Sequence, residues 1–493
     1  MLTDAAQSAI MELMSRPDRS TTPGRDQTRR ELLRAGGLGL GLHGLGLPGL
    51  LRAREAAKNA ATAPPGSFGK AKACILLFMW GGPAQQETWD LKPDAPEQVR
   101  GEFRPVATDV PGLMISEHFP RLSTRCKHLA VVRSVHHADV NHTTATHALL
   151  TGNPAPRGDA APLAEDWPHI GAVLARENRG RERTLLPPFV QMRPTVPNGA
   201  PRFVESSHGQ SAGWLGPAFN PLTLDDDPNR VDYRSEASLG ALSLPDGLSP
   251  ARFEDRRLLL KALGAQARTL EHSALDAHYA RAYSLLNNPH ALSAFDLDRE
   301  DPKTRDRYGR NPHGQTVLMA RRLVEAGVPL VTVFWPNDGL TNVSVYWDTH
   351  NRNFIDLKTR LMPPADQAFS ALLDDLSARN MLDSTLVLWT GEFGRTPRVG
   401  QAVVGGAGAG RDGRDHWPHC FSSVLAGAGV RGGSVHGASD RWAAYPARDP
   451  VTPADVAATV YHLLGVDPSS EIVDSFNRPF RLCPGEPIAG ILA

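Results

Sequence analysis

Four of the chain's eighteen histidines fall between His136 and His147, in the run HHADVNHTTATHALLTG. Histidine is the side chain that most readily binds metals and moves protons near neutral pH. Asn141 is a good helix N-cap, small apolar turns follow it, and Gly152-Asn153-Pro154 is a stop signal. That spacing sets His142 and the first free backbone N–H groups at one helix N-terminus, which suits an anion. A histidine-rich loop with no ligand is the plain alternative. Four further segments carry the same residue types: Gln85, Glu87 and Asp90 after Gly81-Gly82; Asp348-Thr349-His350; Glu392-Phe393-Gly394-Arg395; and Arg414-Asp415-His416. Carboxylates and imidazoles are ligands for hard and borderline cations, and Arg395 or Arg414 could receive an anionic substrate. Each piece alone also has a structural explanation, as a surface turn, a salt-bridge partner or a cap.

The elements that must position these residues are legible as strands. Lys72–Trp80 (KACILLFMW) is a continuous apolar run ending in Gly81-Gly82-Pro83, the mark of a strand buried on both faces. Leu129–Val135, Val328–Trp335, Ser384–Thr390 and Phe421–Ala426 read as strands too. Helices are expected over 316–326, 366–379 and 453–464, and over 251–286 with charges on one face. Strands alternating with helices imply a three-layer α/β/α architecture with a mostly parallel central sheet. Ligands of such sheets bind beyond the carboxyl ends of the strands, where the polar segments collect. The stretch 154–300 reads as a loop-rich insertion, and the glycine-rich loop 405–413 as a flexible flap, since it lacks the strand–helix context of a phosphate-binding loop.

Composition narrows the function classes. Lys+Arg and Asp+Glu both number 53, so no basic field exists to collect nucleic acid or anionic lipid. Hydrophobic content of 41% is ordinary for a globular chain, while 45 glycines and 41 prolines imply many turn-rich connections. Arg29-Arg30 precedes the weakly hydrophobic, glycine-rich stretch 35–51, which is too polar for a stable membrane span. The pair reads as a twin-arginine export signal, giving a 1–65 leader and linker, a single domain over 66–493 and a periplasmic or extracellular destination. A basic amphipathic helix of a cytosolic protein is the alternative. Cys74, Cys126, Cys420 and Cys483 lack metal-site spacing; Cys74 and Cys420 read as packed thiols.

Several of these segments together resemble a known family. LLFMWGGPAQQETWDLKP, HHADVNHTTATHALLTG, RDRYGRNPHGQTVLMARRLVEAGVPLVTV, YWDTHNRNF, LVLWTGEFGRTP and GRDHWPHCFSSVLAGAGVRGG are similar to the secreted family DUF1501, a relative of the sulfatase and alkaline phosphatase superfamily. The resemblance covers about 71–492. It implies a superfamily nucleophile nine residues before the Thr of a Thr-Gly pair; in this chain that position holds His142. The superfamily's first-strand aspartate is matched by Gly81 or Gly82 and its Asp-His pair by Glu392-Phe393. Its metal motif is matched by Asp348-x-His350 and its last histidine by His416. Most ligands of a second metal are thereby missing.

The expectation is a single divalent metal (zinc first, calcium or manganese as alternatives) held by Asp348, His350 and His416. His142, Glu392 and Arg395 would be catalytic, with Gly82, Gln85, Asp90, His136, Asn141 and Asp415 lining the site. The expected activity is hydrolysis of a phosphate or sulfate ester, on an anionic ester or a sulfated or phosphorylated carbohydrate. A non-catalytic polysaccharide- or protein-binding relative is the competing expectation.

Overall fold

The computed structural model describes residues 66–493 except 157–161, 178–185, 195, 197–199, 201–202, 227–292 (apart from 252, 255, 258 and 259), 338–344 and 475. The export-signal region and nearly all of the helix expected over 251–286 lie outside the described residues.

An eight-stranded sheet carries the fold. Its strands are β1 (Ala73–Phe78), β2 (Leu129–Val135), β3 (Phe189–Pro194), β4 (Leu222–Asp226), β5 (Leu330–Phe334), β6 (Thr385–Thr390), β7 (Phe421–Ala426) and β8 (Ser434–His436), in spatial order β8-β2-β7-β6-β1-β5-β3-β4. All neighbours pair in parallel except β7, which runs antiparallel to both β2 and β6. Every residue of β1, β5, β6 and β7 is buried. Successive side chains of a strand point to opposite faces, so both faces of the sheet are covered and the architecture is three-layer α/β/α.

Local chemistry fixes the helices that matter. In α1 (His142–Thr151) the Asn141 side chain caps the Thr143 N–H at 2.9 Å, and Gly152 closes the helix at φ +77°. Helices α2 (Pro312–Glu325) and α3 (Met362–Ala378) pack on each other. In α4 (Pro453–Leu463), which packs against α1, Thr452 and Asp455 form a reciprocal capping box. Two strands, β3 and β4, arise inside the stretch expected to be loop-rich. Their sequences, FVQMRP and LTLDD, offer neither a clean alternation nor an apolar run. The four cysteines are free and buried. Among the described residues no helix is long and apolar enough to cross a membrane.

The turn after β1 admits only glycine. Gly81 has φ +97°, and a Cβ there would lie 2.3 Å from the Asp348 backbone nitrogen; at Gly82, φ is +79° and a Cβ would meet the Phe393 carbonyl oxygen at 2.6 Å. The chain crosses so close to two other segments that no aspartate fits at either position. Gly81→Ala is expected to destabilise the fold by about 1–3 kcal/mol of backbone strain and a similar overpacking cost. Urea unfolding measures it; a variant within 0.5 kcal/mol of the parent, on the order of an ordinary surface change, would contradict this packing.

Candidate metal centre

The carboxyl ends of β1, β2, β5 and β6 deliver Gly81, His142, Asp348 with His350, and Glu392 to one edge of the sheet. His416 joins them because β7 runs the other way, so that the segment entering it lies at the same edge. His142, Asp348, His350 and His416 are all buried, and each offers one ligand atom such that all four atoms lie within 4.8 Å of one another. Their Nε2 atoms are 3.4, 2.8 and 3.3 Å from Asp348 Oδ1 for His142, His350 and His416, and the Nε2 atoms of His350 and His416 are 3.0 Å apart.

The outer side of each ring shows why this arrangement calls for a cation. His350 Nδ1 donates to the Gly408 carbonyl at 2.5 Å, His416 Nδ1 to the Val140 carbonyl at 2.8 Å, and His142 Nδ1 contacts Glu392 Oε1 at 2.5 Å. A carbonyl oxygen can only accept, so Nδ1 carries the proton in the first two rings. A neutral imidazole has one N–H, which leaves two Nε2 lone pairs facing each other at 3.0 Å. Such a contact is repulsive unless something positive sits between. Outer acceptors that fix the tautomer and turn the other nitrogen inward are the usual surroundings of metal-binding histidines. Donors around a tetrahedral zinc would be about 3.3 Å apart, given zinc–nitrogen distances of about 2.0–2.1 Å. Three imidazoles and one carboxylate are a donor set that could hold a divalent metal ion.

Neighbouring charges set the protonation of the metal-free centre. Burial opposes charge on His142, but Asp348 and Glu392 outweigh it and raise its imidazolium to about 9. Burial and the adjacent His142 cation instead hold His416 down to about 4. Asp348 stays well below the ordinary carboxylate range although burial pushes upward, because Arg395, His142 and His350 surround it. A metal entering near pH 7.5 must therefore displace a proton from His142. Zinc titration calorimetry in buffers of differing ionisation enthalpy is expected to show about one proton released from His142 at pH 7.5, falling toward none as pH rises through about 9. A release unchanged from pH 7.5 to 10 would remove His142 from the ligand set. The same sign applies to stability of the metal-free protein. The His142 contribution is full below the ordinary value of 6.5 and disappears as pH rises through about 9.

The structure gathers some expected site residues and redirects others. Glu392 is fully enclosed; its Oε1 also accepts the Gly81 N–H at 2.8 Å, so it orients His142 instead of facing solvent as a base. Arg395 and Arg414 are unavailable to an anionic substrate. Arg395 is fully buried and spends its guanidinium on Asp348 Oδ1 and on the carbonyls of Gly81, Gly82 and Arg414. Arg414, equally buried, pairs with Glu87 at 2.6 Å and donates to the Thr396, Pro397 and Val99 carbonyls. Gln85 clamps the Arg395 backbone through both its N–H and its carbonyl. Asp415 accepts from Val403 N, Gly408 N and His416 N, so the glycine-rich loop is pinned instead of flapping freely.

Asp90 faces elsewhere, bonded to Lys92 at 2.9 Å and to Ser439 Oγ, because its turn carries it toward the 438–439 strand. His136 is half-buried and lies outside the cluster; its backbone N–H, just past the end of β2, donates to the Val451 carbonyl. Two residues were missed. Phe393 packs its ring 4.7 Å from those of His142 and His416, and His137 Nε2 donates to the Glu392 carbonyl at 2.7 Å. The first lay in the quoted GEFGR segment and the second in the histidine run, so type and position were both visible.

The chain is similar to solved structures that include a sulfatase from Pseudoalteromonas sp. (12% identity, 84% of this chain and 72% of that chain covered, TM-score 0.38). A protein of the alkaline phosphatase superfamily from Vibrio parahaemolyticus matches at 10% identity, covering 84% of this chain and 75% of that one, with a TM-score of 0.37. The alkaline phosphatase of the Antarctic bacterium TAB5 matches at 11% identity over 73% of this chain and 92% of its own, with a TM-score of 0.30. No curated protein matches in sequence. The family model described as "Protein of unknown function (DUF1501)" matches residues 71–492, nearly the whole described chain, and the protein belongs to that family.

Proposed function

We propose that the protein is a hydrolase of phosphate or sulfate esters dependent on a single divalent metal, with zinc the best fit. The reading is carried by one observation: three rings whose Nδ1 atoms are engaged by Glu392, Gly408 and Val140 turn their Nε2 atoms onto one oxygen of Asp348. In this reading His142 is a ligand and not the nucleophile expected from its place in the superfamily pattern. With these four residues as ligands, a zinc ion would need a further position open to water; with one, it would lower that water's pKa to about 7 and polarise an ester oxygen.

The chain's own residues do the rest. Glu392 holds the proton on His142 Nδ1 and keeps Nε2 directed inward. Arg395 offsets the charge of Asp348 and fixes its carboxylate against the turn at Gly81-Gly82. Phe393 covers one side of the His142 and His416 rings and excludes water from it. Without metal, Asp348 and Glu392 offset Arg395 and the His142 imidazolium, with the Asp415 carboxylate 3.6 Å from His350 Nδ1. Exchanging the His142 proton for a dication adds one positive charge to a buried centre, which makes it more receptive to an anionic ester. Export by the Arg29-Arg30 motif would place this activity outside the cytoplasm.

Stripping the full-length protein with a chelator and reloading it with zinc, calcium or manganese tests the reading. The expected result is about one retained ion per chain and turnover of p-nitrophenyl phosphate or sulfate that tracks it. Protein that retains no ion and turns over neither ester with any of the three metals would sink the proposal.

A further inference from the structure

Trp442 stands as a ridge between two open grooves of about 530 Å³ each. One is lined by Lys92, Asp94, Arg441 and Trp442 among others, and the second by Arg398, Gln401, Trp417, Trp442 and Tyr445. The Arg441 and Arg398 guanidinium carbons lie 4.9 and 5.6 Å from the Trp442 ring centroid. Both arginines are exposed, and among the described residues neither is paired with a carboxylate, whereas Lys92 is paired with Asp90. Tyr445 is 52% exposed and sits 5.6 Å from the Trp417 ring.

The grooves are tied rigidly to the candidate metal centre. Trp417 directly follows His416, and its indole N–H donates to the Ala444 carbonyl at 2.6 Å. Gln85 Nε2 bridges the carbonyls of Ala443 and Arg395 at 3.0 and 3.1 Å. Asp440 Oδ1 accepts from the backbone N–H groups of Trp442 and Ala444, which holds the ridge upright.

We propose that the two grooves form one trough for a polysaccharide chain bearing sulfate or phosphate esters. Exposed aromatic faces cover the apolar faces of sugar rings, and guanidinium groups bind oxyanions in a fork. The whole chain carries no net charge, so the attraction is local to Arg398 and Arg441. The inference deepens the ester-hydrolase reading by naming its substrate class, but the trough does not pass through the metal ligands.

Affinity electrophoresis of the full-length protein against dextran sulfate, unsulfated dextran and poly-glutamate is the test. Retardation by dextran sulfate alone is expected, and Trp442→Ala should weaken it about tenfold, the effect of losing one central aromatic contact, with an unchanged melting temperature. Should Trp442→Ala not fold, Tyr445→Ala and Arg398→Gln probe the same trough from one side. Unchanged binding in these variants, or poly-glutamate bound as tightly as dextran sulfate, would overturn the trough. Protein that binds dextran sulfate but, after reloading with zinc, calcium or manganese, hydrolyses neither ester keeps the trough and removes the hydrolase. Hydrolysis of p-nitrophenyl esters without dextran sulfate binding does the reverse.

Discussion

Replacing His350 with alanine is expected to remove metal retention and ester hydrolysis together while the protein stays folded. The ring does two jobs at once. Its Nε2 lies 2.8 Å from Asp348 Oδ1 and 3.0 Å from His416 Nε2, at the middle of the proposed ligand set. Its Nδ1 holds the Gly408 carbonyl and so fastens the glycine-rich loop over the centre. Changing an outer hydrogen-bond partner of a metal ligand typically lowers affinity 10–100-fold, on the order of 1.4–2.7 kcal/mol. Losing a ligand and its anchored loop should exceed that. Folding should survive, because the main sheet's ladders and the core are built from other residues and one ring is removed at the sheet's edge. Zinc competition with a chromophoric chelator measures the loss. His136→Ala, on the same edge but outside the ligand cluster, should leave affinity unchanged. Wild-type zinc affinity in His350→Ala would mean that the converging nitrogens are a hydrogen-bonded polar cluster and no metal centre.

What the chain revealed before folding, and what it hid, follows a physical division. Buried parallel strands are written as apolar runs, so β1, β2, β5, β6 and β7 were legible, as was the Asn141 cap that places His142 at a helix start. Beyond-strand polar segments follow from those strands, and hence so did the convergence of Asp348, His350 and His416. Strand β4 was hidden because an edge strand needs no apolar run, and β3, paired with both β5 and β4, because Gln191 and Arg193 interrupt its apolar residues. Orientation was hidden as well. Nothing in the letters GEFGR says that Glu392 turns inward to His142 or that Arg395 spends its donors on backbone carbonyls. The carbonyls of Val140 and Gly408 could not have been chosen at all, since every residue carries one and only the folded path selects it. The glycines at 81 and 82 looked like a degraded metal position; in the fold they are where the turn's backbone closes on those of Asp348 and Phe393.

The second large effect concerns stability. Arg414→Met is expected to cost about 3–5 kcal/mol, the usual consequence of removing one partner from a buried ion pair. Glu87 and Arg414 are both fully buried, 2.6 Å apart, and Arg414 also serves three carbonyls that would lose their donor. Burial raises the Glu87 carboxyl even with Arg414 beside it. Without Arg414 it should rise further. A carboxyl whose folded pKa lies above its unfolded one destabilises the fold at high pH and ceases to do so once protonated. The deficit of Arg414→Met should therefore shrink as pH falls toward 5 and stay large at pH 8. Neutralising the stranded carboxylate in the double variant Glu87→Met/Arg414→Met should recover much of the loss, because well-packed apolar replacements of buried pairs are often neutral. The functional consequence separates from the thermodynamic one. Arg414 lies two residues before His416 and fixes the strand that presents it, so the double variant should be stable yet bind zinc more weakly than the parent. If instead the double variant binds zinc at parental affinity, the pair serves folding alone, and the Arg395–His416 ladder suffices to aim the third imidazole.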